Sequence, residues 1–324
     1  MKSRTSSLTV VALAFCILSL LVYPVSSVQA FVQSDILTQS IVPAMNYLVR
    51  NYNATLGLIH ESPDSPNFSN TYWLYSDNFL ARLAFQRAET YNASLSLLAE
   101  NLTRSITYFT QGQPNPVNQY QVLTAPLLFP LNASKDFKFG IVGTAVVKST
   151  VNNQTGTLDS TKYADIAFLE AIGHHNQRED SLALQTFHDG TRLWNGTGFK
   201  DNAFRSTFAT YKIALLLYTA RLLGQTIDSS VVDGLLALQS HSGVDSGGFL
   251  TEYDGRFAPA SGSNTETTAL AILALSQPDV MLPADRLLLA AILLSFAAVL
   301  ILADRSKSLA LRLKTKTIRL SKVE

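Results

Sequence analysis

Four segments of the chain carry apolar residues on nearly every side when wound as helices: SDNFLARLAF, KYADIAFLEAI, RSTFATYKIALLLYTARLL and ETTALAILALS. Between them lie segments with one apolar stripe only, such as SLSLLAENLTRSITYF and SSVVDGLLALQS. A helix apolar all round belongs in an interior, and an amphipathic one belongs between that interior and water. The pattern therefore predicts an inner set of helices covered by an outer set. Each inner segment follows a glycine phrase and a polar loop: Gly57-Leu-Ile, Gly156-Thr-Leu, Gly198-Phe-Lys and Gly248-Phe-Leu. The spacings, roughly 99, 42 and 50 residues, fit a unit of about 45 to 50 with a degenerate copy in the first gap. Helical hairpins of that length bury their apolar faces only by stacking on one another.

One stretch breaks the helical pattern. FKFGIVGTAVVKSTVNNQTGTL, residues 137–158, is β-branched and aromatic with partial alternation, which predicts an inserted strand pair. The preceding QGQPNPVNQYQVLTAPLLFP has the Pro and Asn content of an irregular connector or rim. The expected fold class is thus mainly all-α, with a small β-hairpin insertion.

The two ends of the chain change the picture of where this domain resides. A basic start at Lys2 and Arg4, the apolar run VVALAFCILSLLVYPVSSVQA and a small-residue exit near Ala30 read as a signal peptide or N-terminal anchor over 1–30. Near the other end, LLLAAILLSFAAVLILA is free of charge and nearly as long as the hydrocarbon is thick, predicting a transmembrane helix over 285–304. Residues 305–324 then form a basic tail with seven Lys or Arg and no acid before its last residues, the positive-inside pattern. Residues 31–280 are expected outside the cell membrane and the C-terminus in the cytoplasm.

The formal net charge of +1 divides accordingly. Residues 31–284 hold 15 basic and 21 acidic side chains, a net of about −6, which argues against nucleic acid as a partner. Seven Asn-X-Ser/Thr sites, Asn53, Asn67, Asn92, Asn101, Asn132, Asn153 and Asn195, all fall in this region and are candidates for glycosylation. The single cysteine, Cys16, lies in the leader, so no disulfide staples the exterior domain and its stability rests on a core.

The glycine-aromatic turn before an apolar helix, in GGFLTEYD followed by TETTALAILAL and in GTGFKDN followed by ATYKIALLLYTARLLG, resembles the repeat of α/α toroids. That group of scaffolds includes six-hairpin glycosidases, terpenoid cyclases and prenyltransferase β subunits. The resemblance spans about 31–278 and implies a ring of helical hairpins whose inner helices open together onto one mouth. It also implies which residues would stand there. Asp77, Asp165 and Glu266 become candidate catalytic carboxyls. His60, Glu61, Trp73, Tyr75, Asn78, Tyr163, Arg205, Tyr211, Glu252 and Tyr253 become candidate substrate contacts, and Asp254 hangs over the same opening.

Several of these have a second reading. Ser263-Asn-Thr-Glu266 fits a capping box, with Glu266 engaging the Ser263 amide. Asp77 sits where a helix start favours negative charge anyway, while Asp165 is placed one turn further in. The aromatics of TYWLYS, residues 71–76, suit either sugar stacking or core packing. His174 and His175 are adjacent, hence on different sides of a helix, and no zinc-binding spacing accompanies them. Toroid signatures that specify zinc, thioester or cyclase chemistry are missing, as are phosphate-binding glycine loops and serine nucleophile elbows, so no cofactor is expected. The resemblance to glycosidase-type toroids implies a single-pass membrane protein that recognises or processes extracellular glycan, with hydrolase- or lyase-like activity. The alternative is a non-catalytic surface protein that holds a protein or cell-envelope component.

Overall fold

A computed structural model describes residues 37–63, 68–89, 92–111, 119–125, 132–157 and 159–277, with the side chains of 132–139 and 151–157 outside the description. The apolar leader, the predicted membrane span Leu287–Ala303, the basic tail and Asn67 lie outside the described residues. Among the described residues, no helix is long and apolar enough to cross a membrane.

The chain is mainly helical. A π-helical turn, Leu37–Ile41, leads into α1 (Val42–Arg50). Then follow α2 (Asp77–Ala88), α3 (Ser94–Thr110), α4 (Ala164–Asn176), α5 (Asp180–Thr191), α6 (Thr210–Leu223), α7 (Ser229–Ala237) and α8 (Thr265–Ser276). The even-numbered helices are the four apolar segments. In α8 every residue from Thr267 to Leu275 is buried, and α6 is buried without interruption from Lys212 to Leu217. The odd-numbered helices bury one stripe: α3 buries Leu95, Ala99, Leu102 and Ile106, the 4-3-4 rhythm of one helix face. The separation of interior and surface helices thus follows from how many sides of each are apolar.

Helix α8 packs against both α2 and α6, and α6 packs against α4, so the last helix joins the first part of the chain to the middle. On the outside, α3 lies on α2, α5 on α4, α7 on α6 and α1 on α8. A single large core runs through all of these, including Leu80, Phe85, Phe168, Leu215, Leu270 and Ile272, each 0 or 1% exposed. The described residues all belong to one compact unit that ends at Pro278.

The glycine-aromatic turns are tightly packed. A Cβ on Gly198 would stand 2.3 Å from the ring of Phe208, and one on Gly248 would stand 2.7 Å from the ring of Tyr47. Only a residue without a side chain allows these close approaches. The aromatic that follows each glycine, Phe199 or Phe249, is buried and bridges back to the end of the preceding outer helix, to Trp194 and Gln239 respectively. The phrase at Gly156 differs: it lies inside a strand, Ala145–Thr157, rather than in such a turn. Gly57 adopts a left-handed conformation just ahead of a short strand, with φ of +66°.

The predicted strand pair is present and longer than expected. Strands β4 (Asn132–Val142) and β5 (Ala145–Thr157) form an antiparallel hairpin that pairs Asn132 with Thr157, so the first strand begins five residues before Phe137. The extension is cooperative: once β5 runs to Thr157, its backbone groups draw the Asn-Ala-Ser-Lys-Asp segment into the ladder despite its weak apolar alternation. Short strands β1 (Tyr52–Asn53), β2 (Leu58–Ile59) and β3 (Thr71–Trp73) precede the hairpin in sequence. Strand β3 pairs in parallel with β5, so the insertion is fastened beside α2. A further pair, β6 (Phe208–Ala209) with β7 (Glu252–Tyr253), ties the segment entering α6 to the loop ahead of α8.

Candidate functional site

The N-terminal ends of the four interior helices approach one another, and acidic and phenolic side chains fill the space between them. Asp77 is the first residue of α2, and Asp165, Tyr211 and Glu266 are the second residues of α4, α6 and α8. Negative charge is favoured at that position by the exposed N–H groups of a helix start. Asp165 therefore lies in the first turn, not one turn further in, because α4 begins at Ala164 with Tyr163 as its cap residue.

Asp77 is 1% exposed. Its Oδ1 accepts a hydrogen bond from the Ser76 hydroxyl at 2.9 Å, whereas its Oδ2 has no partner. Burial, followed by the neighbouring charges of Glu266 and Glu61, holds its carboxyl well above the usual carboxylate range. Burial also raises the carboxyl of half-buried Glu266, opposed by a hydrogen bond donated from the Tyr120 hydroxyl and reinforced by Asp165. The capping-box reading of Glu266 does not hold. Asn264 caps α8 by accepting from Thr267 N at 2.9 Å, and the Ser263 amide donates to Asp245 instead. Glu266 is thereby released from a backbone role.

Glu61 reaches the same place from the loop after β2. Its amide donates to Thr71 O at 2.8 Å, its carbonyl accepts from Thr265 N at 2.9 Å, and its carboxylate accepts from the Trp73 indole. Trp73 and Glu61 are thus set by β3 and by the start of α8 together. His60 adjoins them: its carbonyl accepts from the Thr265 hydroxyl, its ring meets Tyr72 edge-on at 4.8 Å, and burial lowers its pKa. Tyr75 is half-buried, packed beside the small core formed by Leu58, Tyr72, Leu74 and Val147.

On the other side of the group, the Tyr211 hydroxyl donates to Asp165 Oδ2 at 2.9 Å. Burial, then Asp165 and Glu266, push the Tyr211 phenol well up, so it remains a donor. Lys212 is buried with it, donating to Asp201 at 2.5 Å and standing 3.6 Å from Asp165 Oδ1. Asp201, whose side chain is fully buried, also accepts from the Ala164 and Ala203 amides at 3.0 Å each and so closes the start of α4.

Other predicted contacts stand elsewhere or serve the framework. Asn78 is wholly buried and clamps backbone, exchanging hydrogen bonds with Ile59 and donating to Trp73 O at 2.5 Å. Tyr253 is 0% exposed, stacked on Phe257 and tilted against Phe208, with its hydroxyl on Thr197 O; it is a core residue and not part of an opening. Glu252 is exposed on β7 and bonded to Thr207, Arg205 is exposed, and Asp254 folds its own turn through Arg256 and Ala258. His174 and His175 end α4, where they pair with Glu179 and Asp180.

Sequence reasoning passed over Tyr120, Lys212 and Asp201. Tyr120 lies in a 3-10 turn, Gln119–Leu123, within the Pro- and Asn-rich connector, and is fully buried. Nothing local marks it. Lys212 did carry a signal: a lone charge inside the apolar run YKIALLLYTA needs a buried counter-charge. Among the described residues, no three His, Cys, Asp or Glu side chains are grouped to hold a metal ion.

The candidate glycosylation sites divide by environment. Asn92 and Asn195 are exposed, and each side-chain oxygen accepts from the amide two residues on. Asn101 is half-buried beside Arg104, and the Asn53 amide nitrogen already donates to the Tyr72 hydroxyl at 3.0 Å. No protein-family model, curated protein or solved structure matches this chain.

Proposed function

We propose that this protein is a membrane-anchored, extracytoplasmic α/α-toroid protein that processes extracellular glycan by acid–base cleavage at the joined N-termini of α2, α4, α6 and α8. The observation that carries the reading is Asp77: a buried carboxyl with one oxygen unpartnered, beside Glu61 and Glu266. Glycoside cleavage requires one carboxyl held protonated as the acid and a second that is ionised as base or nucleophile. Asp77 has the environment of the acid, since burial and like charges both favour its neutral form. Burial raises the Glu266 carboxyl too, but the hydroxyl of Tyr120 favours its ionised form, so of the two acids it is the one placed to act as base. In hydrolysis Asp77 would give its proton to the leaving oxygen, and Glu266 would take one from water. Trp73 and Tyr75 supply flat faces for a sugar ring. The alternation of interior and surface helices and the packing of α8 on α2 and α6, and of α6 on α4, suit a toroid of hairpins.

The test is release of reducing ends from a glycan panel by the full-length protein in detergent. Asp77→Asn and Glu266→Gln should each lower turnover by about 10²–10⁴-fold, the usual worth of a positioned acid or base. Full turnover in both variants, or no glycan cleaved at all, rejects cleavage at this site.

A further inference from the structure

The site is oversupplied with hydrogen-bond acceptors. Asp77, 1% exposed, has its Oδ2 buried without a hydrogen-bond partner, and Asp165 Oδ1 accepts no hydrogen bond and has only the Lys212 ammonium 3.6 Å away. Buried carboxylate oxygens are rarely left in this condition, because each forfeits its hydration without a replacement. The protein's own donors nearby are committed. The Ala164 amide goes to Asp201, the Thr265 amide to Glu61 O and the Thr267 amide to the Asn264 side chain. Lys212 spends its short contact on Asp201 and stands 3.6 Å from Asp165.

A molecule that completes such a set must bring donors, and positive charge adds to its gain. A uronate, sulfate or phosphate would bring acceptors and like charge into a space already crowded with carboxyls. An organic ammonium brings donors and positive charge together. A compact ammonium has three donors and no acceptor, and the chain already sets lysine ammoniums near the two rings of this region, Lys148 5.2 Å from the Trp73 centroid and Lys212 5.9 Å from that of Tyr211.

We propose that the carboxyl group formed by Asp77, Asp165 and Glu266 is a subsite for a protonated amine, so that the glycan acted on carries free amino groups. The saccharide part rests on the function proposed above; the amine part rests on the orphaned oxygens alone. Binding should also expel protons. The titratable groups facing Asp77 are Glu61, Glu266 and Tyr47, and those facing Glu266 are Tyr120, Asp165 and Tyr211. Of these, the acids Asp77 and Glu266 hold protons above their ordinary range, and an adjacent ammonium favours their ionised forms.

Calorimetry on the full-length protein in detergent, near pH 7 and in two buffers of different ionisation enthalpy, tests this with three probes of equal length. They are a glucosamine oligomer, its N-acetylated counterpart and an oligogalacturonate. The amine oligomer should bind about tenfold or more tighter than the acetylated one and release protons, while the uronate should bind weakest. Asp77→Asn, which preserves shape, should abolish most of the proton release. Glu266→Gln provides a second variant should the first fail to fold, with thermal melting as the check. Equal or tighter binding of the acetylated or uronate oligomer, or amine binding without proton release, overturns the proposal. Selective amine binding without cleavage would reject the enzyme reading and keep the subsite; cleavage of acetylated glycan without amine preference would do the reverse. Absence of binding by all three rejects both.

Discussion

The two halves of the acidic cluster solve the same problem in opposite ways. Between α4 and α6, Lys212 and two backbone amides are built in around Asp201, and Tyr211 serves Asp165. Between α2 and α8, Asp77 and Glu266 face each other's charge, and their carboxyls are raised rather than neutralised by a cation. A fully satisfied buried ion pair holds a structure in register, whereas an unsatisfied acid is kept only where something outside the chain makes use of it. The contrast assigns scaffolding to Asp201 and Lys212 and chemistry to Asp77 and Glu266, with Asp165 between the two pairs.

The comparison can be broken most forcefully at the lysine. Lys212→Met leaves the Asp201 carboxylate buried without its cation and should cost about 3–5 kcal/mol, read as a lower midpoint in denaturant. A loss below about 1 kcal/mol would mean the α4–α6 half is not held by this pair. Tyr120→Phe comes next: it removes the hydroxyl from Glu266 and should cost about 1.5–3 kcal/mol, most strongly where Glu266 is ionised. Asn264→Ala, which removes the α8 cap, should cost about 1 kcal/mol at any pH and so serves as a pH-independent reference.

The smallest change in a mildly acidic buffer is expected for Asp77→Asn, and it should grow into a gain in stability as pH rises. The Asp77 carboxyl is raised in the folded chain, so between its unfolded pKa near 4 and its folded value the native state binds more protons than the unfolded one. Stability contributed by this group is therefore full below about pH 4 and is lost as pH rises toward the folded value. The asparagine variant escapes that loss and should melt higher than the parent at pH 8 while matching it near pH 4. Asp159, Asp228 and Asp254 act in the opposite direction, because hydrogen bonds lower their pKa values, that of Asp159 to about 2. Their contribution is present at neutral pH and fades as pH falls through those values. A parent protein that gained stability steadily up to pH 8 would contradict the assignment of Asp77 as the uncompensated acid.

Much of this arrangement is visible in the one-dimensional pattern. The four all-apolar segments are the buried helices, and the polar residues that open them include Asp77, Asp165, Tyr211 and Glu266, which the toroid resemblance implies as mouth residues. These short-range features follow from periodicity and from the preference of helix starts for negative side chains. Tyr253 shows the limit: flanked by Glu252 and Asp254, it reads as a loop residue, yet the stack with Phe208 and Phe257 buries it completely. Tyr120 shows the converse, since an irregular Pro- and Asn-rich segment carries its ring into the core.

The sequence by itself determined which helices are interior and which residues begin them, since both depend on the nature of each side chain and its nearest few neighbours. Only the tertiary structure decided which of those beginnings meet and which carboxyls find partners. Glu266 meets Tyr120 across 146 residues of chain, and Asp77 is crowded by Glu266 across a longer gap. Such encounters are fixed by the packing of α8 between α2 and α6. No local rule contains that information, because the electrostatic state of a buried acid is set by whatever the fold places beside it.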